Sequence, residues 1–132
     1  MADTMQFDLV SPERSLASAQ ATEVRIPGAE GDLTAMADHA PVITTLRPGV
    51  LTVVNNDGEQ DFLVVGGFAE VSPAGTSVLA ERAYAKADVT REILDGLVAD
   101  ATAARDNASA EGADLAAKFL ADIQAAGAQL GL

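Results

Sequence analysis

Cysteine and tryptophan are missing from this 132-residue chain, and histidine occurs once. Without cysteine there is no disulfide framework and no thiol catalysis. Aromatic residues make up only 4% of the sequence, so Val, Ile and Leu must carry the core. Basic residues are also scarce. Eight Lys and Arg face 20 Asp and Glu, for a net charge of −12. That balance opposes nucleic acid and anionic lipid, which both need a basic footprint. No uncharged apolar run approaches the roughly 20 residues of a membrane span, so direct membrane insertion is not expected. The N-terminus, Met1 to Gln6, lacks a basic segment followed by an apolar one and does not read as a secretory signal. The expected location is the cytoplasm, with peripheral attachment to a membrane complex left open.

What is present changes character near residue 86. All five prolines lie at or before Pro73. Val, Ile and Thr number 19 in residues 1–86 and six in residues 87–132, where 14 residues are alanine. The shift predicts an α+β chain: a β-rich domain over 1–86 and a helical one over 87–132. A strand is expected at Gln6–Val10, stopped by Ser11-Pro12. A longer one is expected at Ser15–Ile26, ended by Pro27. Val50–Asn55 and Asp61–Val71 flank Asn56-Asp57-Gly58, a hairpin signal. The return strand should place Phe62, Val64 and Phe68 on one face and Leu63, Val65, Ala69 and Val71 on the other. Gly66-Gly67 within it suggests a bulge or a close backbone approach. Thr76–Ala83 is a last strand, and the regular turns suggest a sandwich or barrel.

In the tail, Asp88 is the expected N-cap of a helix carrying Val89, Ile93 and Leu97. A break at 107–112 leads to a second helix carrying Leu115, Phe119 and Ile123, with Leu120 beside them. The short break makes the pair an antiparallel hairpin. Gly96 and Gly127 weaken the two helices, so the hairpin should be loosely held.

The stretch from Ile26 to Gly49 is too irregular for a plain strand and too patterned for a linker. Pro27, Pro41, Pro48, Gly28, Gly31 and Gly49 punctuate it with rigid turns. Between them Glu30, Asp32, Asp38 and His39 form a carboxylate–histidine surface. Its spacing matches no zinc or calcium loop, so no metal is expected. Gly28-Ala29-Glu30-Gly31 is followed by no Gly-Lys-Ser/Thr, and Glu30 would repel a phosphate. No Gly-x-Ser-x-Gly elbow exists, and Ser11 and Ser15 have no histidine near them in sequence. The surface reads as a docking site on a chain that is not an enzyme and needs no cofactor.

Several runs agree with one family. Val10-Ser11-Pro12-Glu13-Arg14, Ile26-Pro27-Gly28-Ala29-Glu30-Gly31-Asp32-Leu33, His39-Ala40-Pro41 and Leu46-Arg47-Pro48-Gly49-Val50 are four of them. Gly66–Val71 and Val78–Ala83 follow in the same order and spacing. Together they resemble the epsilon subunit of bacterial F-type ATP synthases, whose mitochondrial counterpart is called delta. The resemblance covers nearly all of residues 1–86; the tail matches in layout and weakly in sequence. It implies an N-terminal antiparallel β-sandwich and a C-terminal two-helix hairpin. It implies a rotor subunit that binds the gamma subunit and sits against the c ring, on the cytoplasmic face of the inner (plasma) membrane. Glu30, Asp32 and His39 fall on family positions that face the polar loops of the ring.

The tail departs from the family's pattern. Some bacterial relatives bind ATP through Ile/Leu-Asp-x-x-Arg-Ala at the start of the first tail helix. Here Thr90 stands for the aspartate and Ile93 for the arginine, which predicts absent or very weak ATP binding. From residue 88 onward, eight acids (Asp88, Glu92, Asp95, Asp100, Asp106, Glu111, Asp114, Asp122) face three bases (Arg91, Arg105, Lys118), a net of −5. Inhibitory tails in the family meet acidic segments of the catalytic head, and like charge opposes that docking. A regulatory hairpin that extends to block ATP hydrolysis is therefore the second reading, behind the rotor link.

Overall fold

The computed structural model describes residues 3–132; Met1 and Ala2, part of the N-terminal stretch read above, lie outside the described residues. Eight strands come first: β1 (Met5–Ser11), β2 (Arg14–Ala21), β3 (Glu23–Gly28), β4 (Gly31–Met36), β5 (Val42–Thr45), β6 (Gly49–Asn55), β7 (Gly58–Ser72) and β8 (Gly75–Ala85). Two helices follow, α1 (Arg91–Asp106) and α2 (Ala113–Gln129). Strand order is β2-β1-β8-β7-β6-β3-β4, with β5 added on β7. Every pair is antiparallel except β1–β8, which is parallel.

β7 and β8 belong to both layers of the sandwich. The first half of β7, Gly58–Val64, pairs with β6, and Phe68–Val71 pairs with β5. β8 meets β1 only along Gly75–Leu79. One layer is thus β2-β1-β8-β7-β5, the other β8-β7-β6-β3-β4. The change of layer falls at Gly66 and Gly67, with φ of 74° and 104°. The β7–β8 register passes through without a slip, from Val65↔Arg82 to Gly67↔Ala80. The glycines therefore serve a close approach, not a bulge: a Cβ on Gly67 would lie 2.1 Å from the Leu79 carbonyl oxygen.

The same two residues reverse which side chains point inward. Phe62 and Val64 face the sandwich core before them, and Ala69 and Val71 after them. Unbroken alternation groups Phe68 with Phe62 and Val64. Phe68 is instead 40% exposed, because two successive left-handed φ angles cancel the period-two rule. β8 reverses in step, with Val78 and Ala80 inside on one side of the corner and Ala83 on the other.

Two strand boundaries differ from expectation. Residues 15–26 are two strands in opposite layers. Thr22 anchors the bend, donating its amide and its hydroxyl to the Val54 carbonyl at 2.8 and 3.0 Å. Pro27 does not end β3. Pairing with β6 has already stopped at Arg25, so a missing N–H costs that side of the ladder nothing. The stretch beyond Pro27 also contains β4 and β5. Only Ala35 of β4 and no residue of β5 is buried, so neither carries the apolar alternation that marks a strand in sequence.

A second core lies outside the sandwich. Leu63 and Val65 of β7 pack against Val89, Leu94, Leu97, Ala101, Leu120, Ile123 and Ala126. Asp88 is not the cap of α1. It ends a single 3-10 turn, and Thr90 caps the helix by accepting the Ile93 amide at 3.1 Å. α2 buries Leu120, Ile123, Ala126 and Gly127, while Leu115 is 75% exposed and Phe119 about a third exposed. Gly127 is a notch and not a weak point: a Cβ there would come within 2.6 Å of Leu94 Cδ2. Gly96 has no neighbour within 4 Å of a built Cβ and is the helix glycine without a packing role.

Candidate functional site: the braced turn after Pro27

β3 turns into β4 through Ala29 and Glu30. Gly28 must lack a side chain, since a Cβ would lie 2.5 Å from the Gly31 carbonyl oxygen. Gly31 takes a φ of 138° to start the return strand. Three successive residues, Thr45 at the end of β5 and then Leu46 and Arg47, hold the turn. The Ala29 amide donates to Thr45 at 2.8 Å, and Gly28 bridges to Leu46. Arg47 then clamps it. Its amide donates to the Pro27 carbonyl at 3.0 Å, and Nη1 donates to the Gly28 carbonyl at 2.7 Å. Nη2 donates to Asp32 Oδ1. Pro27 and Pro48 are buried beneath, and Gly49 lets them close up: its Cβ would stand 2.7 Å from Pro27 Cβ.

Five of the six punctuating residues, Pro27, Gly28, Gly31, Pro48 and Gly49, thus converge on one rigid corner. Pro41 does not. It is exposed at the end of the 37–41 loop, beyond the far end of β4. His39 lies in that loop as well. Its amide donates to the Met36 carbonyl at 3.2 Å, and its ring Nδ1 donates to the Ala40 carbonyl at 2.6 Å. Asp38, beside it, has a φ of 61°. β4 separates this loop from Glu30 and Asp32 by roughly 15 Å at a strand's rise per residue. The carboxylates and the histidine are therefore two places, not one cluster.

The two carboxylates also differ. Asp32 shares its charge with Arg47, whereas Glu30 is exposed and has no ion-pair partner among the described residues. Arg47 is the residue that site selection by acid and histidine content missed. The signal was available in Arg47-Pro48-Gly49, a lone guanidinium directly ahead of two structure-breaking residues.

Behind the turn, a cleft of about 160 Å3 opens between this layer and α2, lined by Arg25, Asp32, Thr34, Arg47, Asp122 and Gln129 among others. Its charges are internally matched. Arg25 pairs with Glu23 and Glu59, and the Glu23 hydrogen bond and charge raise its pKa above the ordinary guanidinium value. Among the described residues no group of three or more His, Cys, Asp or Glu is placed to hold a metal. No described helix is long and apolar enough to cross a membrane. The site's chemistry is that of a stiff, charged protrusion.

Residues 4–86 match the family described as ATP synthase, delta/epsilon chain, beta-sandwich domain. The chain is 56% identical over 132 residues to the ATP synthase epsilon chain of Rhodobacter capsulatus, covering all of both. It is 56% identical to that of Ruegeria sp. over a 137-residue alignment, again covering both completely. Its fold is similar to a chain in the OSCP/F1/c-ring structure of Euglena gracilis mitochondrial ATP synthase. There the TM-score is 0.74 at 19% identity, over 96% of this chain and 81% of that one. It is also similar to a chain in the central stalk/c-ring structure of Tetrahymena thermophila mitochondrial ATP synthase. That TM-score is 0.66 at 16% identity, over 94% and 96% of the two chains. With a family match over more than half its length and these identities from end to end, the chain belongs to the ATP synthase delta/epsilon chain family.

Proposed function

We propose that this chain is a non-catalytic rotor subunit that links gamma to the c ring, peripheral on the cytoplasmic face of the inner membrane. The observation that carries the reading is the Arg47 clamp on the Gly28–Asp32 turn. A contact under torque must keep its shape, and two φ-locked prolines, glycines that permit close packing and one guanidinium fix this one. Glu30 projects from the corner with its charge unshared, suited to a basic or amide group on a polar ring loop. A linker needs a second surface. Ile43, Phe68 and Leu79 supply it: they are 72%, 40% and 44% exposed on the outer face of the β5-containing layer, where Phe68 and Leu79 are cross-strand partners. Large apolar side chains left in water mark a protein-binding face, and gamma is the partner we assign to it. His39, at the other end of β4, borders the same layer edge as Glu30 and is assigned to the ring side with it.

The absence of cysteine makes the test clean. Single variants Glu30→Cys, His39→Cys and Leu79→Cys are labelled with a short photo-crosslinker and assembled into the synthase. Glu30→Cys is expected to join the c subunit, and Leu79→Cys to join gamma. A Glu30 adduct with gamma, or with nothing, sinks the ring assignment. The His39 adduct decides between ring and gamma for that loop.

A further inference from the structure

We propose that Asp57 is a site of spontaneous isoaspartate formation, and that the fold confines this reaction to it. The sequence holds two Asp-Gly pairs, Asp57-Gly58 and Asp95-Gly96. A glycine on the C-terminal side leaves its amide nitrogen unshielded by a Cβ. That nitrogen attacks Cγ of the aspartic acid. The new N–Cγ bond forms as the Cγ–OH bond breaks, and the hydroxyl leaves with the amide proton as water. The product is a cyclic succinimide. Water then adds back to either imide carbonyl. Addition at Cγ restores aspartate; addition at the former main-chain carbonyl leaves the backbone running through Cβ, as isoaspartate. The water lost is the water regained, so mass is unchanged and no oxidant or cofactor enters. The neutral acid is the reactive form, so the ring closes faster as pH falls.

The two pairs sit in opposite surroundings. Asp57 is exposed at the tip of the β6–β7 hairpin. Its amide donates to Asn55 Oδ1 at 2.9 Å, while its carboxylate has no partner among the described residues. Gly58, with a φ of 130°, has nothing within 4 Å of a built Cβ. Only the closing pair Asn55↔Gly58 must open for the nitrogen to swing toward Cγ. Asp95 is in the second turn of α1, where the Gly96 amide is committed to the carbonyl four residues back. Its neighbours Leu94 and Leu97 are buried in the second core. Closing a ring there requires that helix to unwind and unpack. Opening is easiest at turns and costs up to the global stability in packed elements. An added methylene at residue 57 lengthens a two-residue turn and disturbs the adjacent rungs Val54↔Glu59 and Asn55↔Gly58.

The test ages the full chain at neutral and mildly acidic pH. It reads each Asp-Gly peptide by chromatography and by labelling with an isoaspartyl methyltransferase and a radioactive methyl donor. Isoaspartate at Asp57 is expected to exceed that at Asp95 at least about tenfold, the ratio given by ~1.4 kcal/mol of difference in opening. The ratio should collapse toward one in strong urea. Asp57→Glu, which would need a larger ring, should lose the signal at that turn while keeping the thermal midpoint. Equal accumulation in the folded chain, no isoaspartate at Asp57, or a ratio that survives urea overturns the proposal.

Discussion

Phe62 and Leu63 are neighbours in β7, and both are shielded from water, at 1% and 0% exposure. They belong to different cores. Phe62 points between two sheet layers that share β7 and β8 and are tied together by the backbone ladder of those two strands. Leu63 points outward to a hairpin held by side-chain packing and, among the described residues, one ion pair, Arg82 with Asp100 at 3.6 Å. Both partners of that pair are half or more exposed, so it adds at most a fraction of a kcal/mol. Burial alone therefore does not rank the two residues. What matters is whether the partner surface is tied in by backbone or only laid on.

Substitutions at the two positions separate these cases. Phe62→Ala should cost about 3–5 kcal/mol and lower the denaturant midpoint of the whole chain. Leu63→Ala should cost about 2–3 kcal/mol and act first on the hairpin. Amide exchange should quicken in α1 and α2 while β1, β7 and β8 stay protected. If both variants lose protection everywhere alike, the two cores are one cooperative unit. Gly127→Ala drives a methyl into Leu94 and should cost about 1–3 kcal/mol, again with exchange confined to the helices. Gly96→Ala meets no neighbour and should instead stabilise α1, by about 0.5–1 kcal/mol. A loss of stability at Gly96→Ala would mean that position 96 is packed against a neighbour after all.

The architecture was legible because composition changed sharply at the β–α boundary and because turn chemistry marked the hairpins. Asn56-Asp57 is a two-residue turn closed by Asn55↔Gly58, although the left-handed angle falls on Gly58 and not on the two residues before it. β4 and β5 were not legible, because edge strands with little buried surface leave no apolar period. The facing of Phe68 was misread because a period-two rule assumes uninterrupted extended backbone. Gly66-Gly67 announced the interruption but not its effect. On α2, Leu120 and Ile123 lie in the packed seam as their spacing suggests, but Leu115, grouped with them in sequence, is left in water. At the candidate site, charge and turn residues single out Glu30 and Asp32. Their separation from His39 was hidden because it depends on β4 being a strand.

The corner at Gly66 and Gly67 has a mechanical meaning. Two layers joined only by packed side chains can slide over each other under a sideways load. Here β7 and β8 run unbroken from one layer into the other, so sliding must stretch covalent chain. The clamped turn follows β3 in one layer, and the exposed Phe68–Leu79 face lies on the other. A push entering at one is passed to the other along two continuous backbones, as through a beam bent at a joint.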